Sequence, residues 1–168
     1  EGVTNIIELS AMGLHVVALR ADGTVWGWGG GDASSLPSRV AGLDDVAAVA
    51  AGFARNLALK AGGTVWAWGA PGGAPTAVAG LGPVTAIAGG ALVSAAVAAD
   101  GKVWMWEISA GNAPAKPPAA LEGLASVVAI VMGQESNLAL LADGTVWVWL
   151  RYGKPRPVPA PIAGTPTP

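Results

Sequence analysis

Apolar and polar residues follow one another in short runs along this chain, and the runs recur as a set. Its most regular phrase is Trp-x-Trp, written four times, within residues 24–29, 64–69, 102–107 and 145–150. All eight tryptophans belong to these pairs. Side chains alternate between the two faces of a strand, so both rings of a pair share one face. The preceding valine (Val25, Val65, Val103, Val146) and the intervening residue (Gly27, Ala67, Met105, Val148) share the other. Both faces are apolar, the pattern of a strand covered on both sides. A fully buried tryptophan removes roughly 200 Å² from water, about 5 kcal/mol at ~25 cal/mol/Å². The first ring of each pair (Trp26, Trp66, Trp104, Trp147) is expected to be largely buried between neighbouring sheets.

Around each phrase the same sequence of elements is predicted. An opening strand spans 3–10, 46–51, 84–88 or 127–131, rich in β-branched residues and without a helical stripe. Gly52, Gly90 and Gly133 follow it, with Met12 in that column of the first unit, where a tight turn or a close backbone approach is expected. A second strand spans 15–19, 56–59, 94–97 or 137–140. It runs into Asp22-Gly23, Gly62-Gly63, Asp100-Gly101 or Asp143-Gly144, a signature of the two-residue type I′ hairpin. After the Trp-x-Trp strand comes a variable loop at 29–37, 69–75, 107–118 or 150–157. A short fourth strand closes each unit, ending in Val40-Ala41-Gly42-Leu43, Val78-Ala79-Gly80-Leu81 or Leu121-Glu122-Gly123-Leu124, with a weaker copy at 158–162.

Trp26, Trp66, Trp104 and Trp147 are spaced by 40, 38 and 43 residues. Four strands per ~40 residues, repeated, is the signature of propeller blades. A β-solenoid fits less well, because its coils are shorter and lack hairpin turns. The predicted fold is thus all-β: a propeller, or part of one, of four four-stranded blades. The units span approximately 1–45, 46–83, 84–126 and 127–164, with 165–168 as a tail.

Composition changes this picture in one respect. Only 12% of the 168 residues are charged, against about 25% in an ordinary globular domain. The net charge of −2 gives no electrostatic reason to bind nucleic acid or an acidic membrane. Arg151, Lys154 and Arg156 cluster near the end of the chain and read as a solvated segment. With no cysteine, neither disulfides nor thiolate metal sites arise. The longest apolar run, Val127–Met132, is far short of the ~20 residues that span a bilayer. The chain starts at Glu1 and shows no signal peptide, so a processed or trimmed N-terminus is expected.

No catalytic constellation emerges, and no metal or cofactor is expected. The one histidine, His15, occupies a repeat column, which points to a structural role. Asp44 and Asp45 are adjacent, so their side chains diverge as in a solvated turn. Gly29-Gly30-Gly31 lacks the Lys-Ser/Thr and helix start of a phosphate loop. The Trp pairs could stack on sugars, but their regular repetition indicates core packing.

Residues 52–69, Gly-Phe-Ala-Arg-Asn-Leu-Ala-Leu-Lys-Ala-Gly-Gly-Thr-Val-Trp-Ala-Trp-Gly, resemble the regulator-of-chromosome-condensation (RCC) repeat. That repeat reads roughly Gly-x-x-His-Ser-Leu-Ala-Leu, a short spacer, then Gly-x-Val-Trp-x-Trp-Gly. The resemblance covers all but the proline-rich tail and implies a propeller of four-stranded blades, usually seven to a ring. Members include a nucleotide exchange factor, a plant photoreceptor and secreted bacterial inhibitors of β-lactamases. The fold alone therefore implies no single function, although a bacterial protein in an extracellular or cell-surface setting is the expectation. The His column here reads His15, Arg55, Val93, Ser136, and the Asn-x-x-Gly-Gln-Leu-Gly stretch that often follows the phrase is missing. No arginine but Arg151 neighbours a Trp pair, unlike the photoreceptor's tryptophan cluster.

Alternation places the Asp-Gly turns at one end of every blade, nearly invariant among the units. The first-hairpin bends lie at the opposite end and vary: Gly13-Leu14-His15, Phe53-Ala54-Arg55, Ala91-Leu92-Val93 and Gln134-Glu135-Ser136. Variable loops on a rigid scaffold are the usual carriers of binding specificity. Phe53, Arg55, Gln134, Glu135 and His15 are therefore the candidate binding residues, with Phe53 equally suited to plugging the ring centre. The expected function is non-enzymatic: a protein-binding or self-assembly module. A carbohydrate-binding propeller is the alternative. Four units could close a small ring. If they form an open arc, the end blades expose apolar faces and self-association through them is expected, as a two-chain ring of eight blades or an open-ended assembly.

Overall fold

A computed structural model of the chain describes residues 3–29, 36–53, 55–69, 73–107, 116–150 and 153–159. Sixteen strands fall into four antiparallel four-stranded sheets, each ordered as in the sequence. Blade 1 holds β1 (Ile6–Met12), β2 (His15–Arg20), β3 (Val25–Gly29) and β4 (Ser38–Arg39). Blade 2 holds β5 (Val46–Ala51), β6 (Arg55–Lys60), β7 (Val65–Gly69) and β8 (Thr76–Ala77). Blade 3 holds β9 (Val84–Gly89), β10 (Val93–Ala98), β11 (Val103–Glu107) and β12 (Ala119–Ala120). Blade 4 holds β13 (Val127–Met132), β14 (Ser136–Leu141), β15 (Val146–Leu150) and β16 (Arg156–Pro157). The arrangement is the RCC-like propeller that the repeats imply.

The strands follow the predicted order within four four-stranded sheets, with three local differences. The first strand of blade 1 begins at Ile6 rather than at residue 3. The fourth strands lie just before the Val-Ala-Gly-Leu segments, which form turns, and residues 160–168 fall outside the described residues. The Asp-Gly hairpins are not type I′. Only the glycines Gly23, Gly63, Gly101 and Gly144 take positive φ. In the first, the Gly23 amide donates to the Arg20 carbonyl (2.9 Å) and the Arg20 amide to the Thr24 carbonyl (2.9 Å). This is a three-residue loop, a type I turn closed by a left-handed glycine. Asp22 selects it by accepting from the Thr24 amide (3.1 Å) and hydroxyl (2.6 Å), which needs no positive φ at the aspartate.

The core consists of three blade junctions. Val17, Leu19 and Val25 of blade 1 meet Val49, Ala58 and Trp68 of blade 2. Leu57, Leu59 and Val65 of blade 2 meet Val84, Ala96 and Trp106 of blade 3. Ala95, Val97 and Val103 of blade 3 meet Ile130, Ala139 and Trp149 of blade 4. At each junction the valine face of one blade thus meets the tryptophan face of the next. Among the described residues no such cluster joins blade 4 to blade 1, so the four blades form an open arc.

The two rings of a pair differ in depth. It is the second ring of the pair that is fully enclosed, at Trp68, Trp106 and Trp149. Trp26, Trp66, Trp104 and Trp147 are half-buried. They stand nearer the Asp-Gly end, where a basic side chain covers two of them: the Arg20 guanidinium lies 6.0 Å from the Trp26 ring centre and the Lys60 ammonium 5.0 Å from that of Trp66.

Candidate functional site

The first-hairpin bends of the four blades line up at one end of the arc, and their backbones are in contact. The Phe53 amide donates to the Gly90 carbonyl of the next bend (3.1 Å). A Cβ on Gly89 would lie 2.6 Å from the Ala51 backbone, and one on Gly52 would lie 2.8 Å from the Gly90 carbonyl oxygen. Neither glycine needs positive φ; the close approach of neighbouring bends excludes a side chain. The Phe53 ring lies over Gly13, its Cδ2 3.4 Å from where a Cβ would stand.

This packed row supports exposed apolar side chains. Leu14 is 76% exposed, Phe53 58% and Leu92 49%. In blade 4 the same bend carries Gln134 and Glu135, both exposed. Three of the expected binding residues (Phe53, Gln134, Glu135) therefore stand at this surface. Arg55 and His15 do not. The His15 Nε2 atom pairs with Asn56 Oδ1 at 2.7 Å across the first junction, in a buried contact. Arg55 takes the equivalent place at the second junction, and burial lowers its pKa from the usual guanidinium value. The repeat column explains both: it points between blades, so its polar members serve the junction.

The opposite end is charged and uniform. The Thr24 hydroxyl, then its amide, hold the Asp22 carboxyl below the usual carboxylate range, and Thr145 does the same for Asp143. Lys102 does so for Asp100, with an ion pair of 2.9 Å. Arg39 and Asp44 form an exposed pair at 2.6 Å on the outer side of blade 1. These four aspartates are thus each engaged in a turn or pair. Among the described residues, no three His, Cys, Asp or Glu side chains converge as metal ligands. No helix is long and apolar enough to cross a membrane.

Sequence reading did not anticipate a cavity of about 450 Å³ at the first junction, bounded by Val17, Gly27, Val40 and Trp68, with His15 and Asn56 at its edge. Its origin was visible in one column: Gly27 stands where the other blades have Ala67, Met105 and Val148. A Cβ at Gly27 would meet Val16 O, Val40 Cγ2 and Val17 Cγ1 at 3.7–4.0 Å, ordinary contact distances.

Sixteen strands in serial four-stranded blades, with a Trp-x-Trp third strand and glycine-packed bends, define an RCC1-like β-propeller fold. Solved structures agree. Human WBSCR16 superposes with a TM-score of 0.76 at 20% identity, over 93% of this chain and 53% of its own. Yeast RCC1 (Prp20), in its complex with Kap60, gives 0.70 at 20% identity, over 86% of this chain and 43% of its own. The computationally designed protein Ika4 gives 0.58 at 24% identity, over 89% of this chain and 94% of its own. The chain thus spans about half the length of the two natural proteins. No family model and no curated relative matches the sequence.

Proposed function

We propose that the protein is a non-enzymatic binding scaffold, a rigid arc of RCC1-like blades whose variable end takes a protein partner. The carrying observation is the row of Leu14, Phe53 and Leu92, apolar side chains held outward on bends too tightly packed to fold them away. An exposed aromatic beside aliphatic neighbours on a preorganised surface is the usual anchor of a protein interface. Prp20 supports the class of ligand: its structures are described with Kap60 and for binding to Gsp1p and histones. The scaffold reading extends to assembly of the chain with itself through its end blades. Sugar binding has less behind it, since Phe53 is the one exposed aromatic among the described residues and has no repeat-equivalent partner.

The test places a photo-crosslinking phenylalanine analogue at position 53 or, at the opposite end, at position 62. A discrete protein adduct from 53 that disappears in Leu14→Ser/Leu92→Ser chains is expected. Equal adducts from both ends, or saturable binding to a glycan array, overturn the reading.

A further inference from the structure

The three blade junctions share a backbone bond as well as an apolar contact. The Val46 amide donates to the Gly23 carbonyl (3.2 Å), Val84 to Gly63 (3.0 Å) and Val127 to Gly101 (3.1 Å). Each bond joins the turn of one blade to the first strand of the next. The remaining members of the two series are Gly144 at one end of the arc and Ile6 at the other. A Cβ on Gly23 or Gly63 would lie 3.2 Å from the following blade's backbone, and one on Gly101 2.7 Å. At Gly144 nothing lies within 4 Å.

Side chains tell the same story. Leu138 of blade 4 occupies the column of Leu57, yet is 41% exposed against 1%. Leu9 of blade 1 occupies the column of Val49, yet is 63% exposed against 4%. We infer that these two faces dock on each other between two copies of the chain, repeating the internal junction. The Gly144 carbonyl of one copy then accepts from the Ile6 amide of the other.

Continuity with the internal interface identifies the occupant. Leu138, Leu140 and Val146 supply the valine-face columns, and Leu9, Ala18 and Trp28 the tryptophan-face columns. A partner face must match that spacing, and the chain itself carries one. The contact is heterologous, so two copies related by a twofold axis make two identical junctions and close eight blades, within the propeller range of four to eight. The new junction is more apolar than the first internal one. There Glu8 accepts from the Val49 amide (3.0 Å) and Ser10 from the Ala51 amide (2.9 Å). The blade 4 counterparts are Ala129 and Val131. Pairing is therefore insensitive to salt.

This inference rests on the scaffold reading but not on partner binding at the variable end, so Phe53→Ala leaves it unchanged. The experiment is sedimentation velocity with native mass spectrometry on the full chain from about 1 to 100 µM, the range in which a micromolar contact titrates. The expected species has twice the 16.5 kDa of one chain, and its dissociation constant moves less than about threefold between 0.1 and 1 M salt. Leu9→Glu and Leu138→Glu, both at exposed positions and so compatible with folding, are each expected to be monomeric with a β-type circular dichroism spectrum. Mixed together they regain a two-chain species, because one unmodified junction survives between them. A Leu9→Glu chain that still pairs with itself shows a symmetric contact and overturns the proposal. So does a wild-type monomer at 100 µM. A ladder of masses beyond two chains overturns ring closure.

Discussion

Replacing Trp68 by alanine tests the junction architecture. The ring is 2% exposed and lies between blades 1 and 2 with Val17, Leu19 and Val25. Its removal forfeits a transfer term of up to about 5 kcal/mol, from roughly 200 Å² at ~25 cal/mol/Å². The adjoining cavity of about 450 Å³ lets neighbours shift and solvent enter, so the loss should stay inside the usual 3–5 kcal/mol for a buried tryptophan. Trp66, two residues away on the same face, is half-buried beneath Lys60. Its replacement should cost less, because part of its area is already in water. Urea unfolding followed by circular dichroism reads both. The midpoints should order wild type, Trp66→Ala, Trp68→Ala, with an unchanged slope. If Trp66→Ala costs as much as Trp68→Ala, or if Trp68→Ala costs less than about 1 kcal/mol, the assignment of depth within the pair is wrong.

Gly27→Ala and Gly89→Ala should have opposite signs. The first meets only ordinary contacts and should stabilise by about 0.4–1 kcal/mol through the unfolded chain. The second puts a Cβ 2.6 Å from the Ala51 backbone and should lower the melting temperature and the soluble yield. His15→Ala strands the buried Asn56 amide at the first junction and should cost about 1–3 kcal/mol without altering crosslinking at position 53. The turn aspartates set an acid limit. Their folded-state pKa values lie below the ordinary carboxylate range, so the folded state binds fewer protons there. The stabilisation they provide is complete above the ordinary carboxylate pKa and fades as pH falls through that range to the lowered values. Melting curves from pH 7 to pH 2 should show this decline, and it should be shallower in Asp143→Ala.

The fold was legible because each blade repeats the same two-faced pattern, and the period of about 40 residues allows few architectures. Strand alternation also identified which residues share a face. It could not rank Trp66 against Trp68, because alternation assigns a side and says nothing of distance from the blade's rim. Asp22-Gly23 was read as a two-residue turn because only sequence adjacency was available. The Thr24 hydroxyl and amide, both satisfied by the Asp22 carboxylate, favour the three-residue loop instead. At the candidate site, Phe53 was legible as a lone aromatic in a variable bend. Arg55 was misleading for the opposite reason: its charge suggested a surface, whereas its repeat column leads into a junction.

The low charge content follows from the make-up of the blade faces. In an isolated propeller the end blades meet each other, and in an ordinary monomer an unmatched blade face would be expected to carry charge. Here the columns of the two end faces are filled with leucine, valine, alanine and tryptophan, the residues used at the three buried junctions. Glu8, the acidic residue on an internal face, bonds a backbone amide of the next blade. Apart from Arg55 at the second junction, charge among the described residues lies mainly at the Asp-Gly turns, the blade rims and the fourth bend. Such a distribution suits a chain whose faces are all to be covered, leaving only its two ends to present chemistry. One end is nearly uniform, with the aspartates of three blades tied into their own turns. The other differs from blade to blade while its backbone is locked by glycine contacts, and there a change of side chain would alter the presented surface with little effect on the fold.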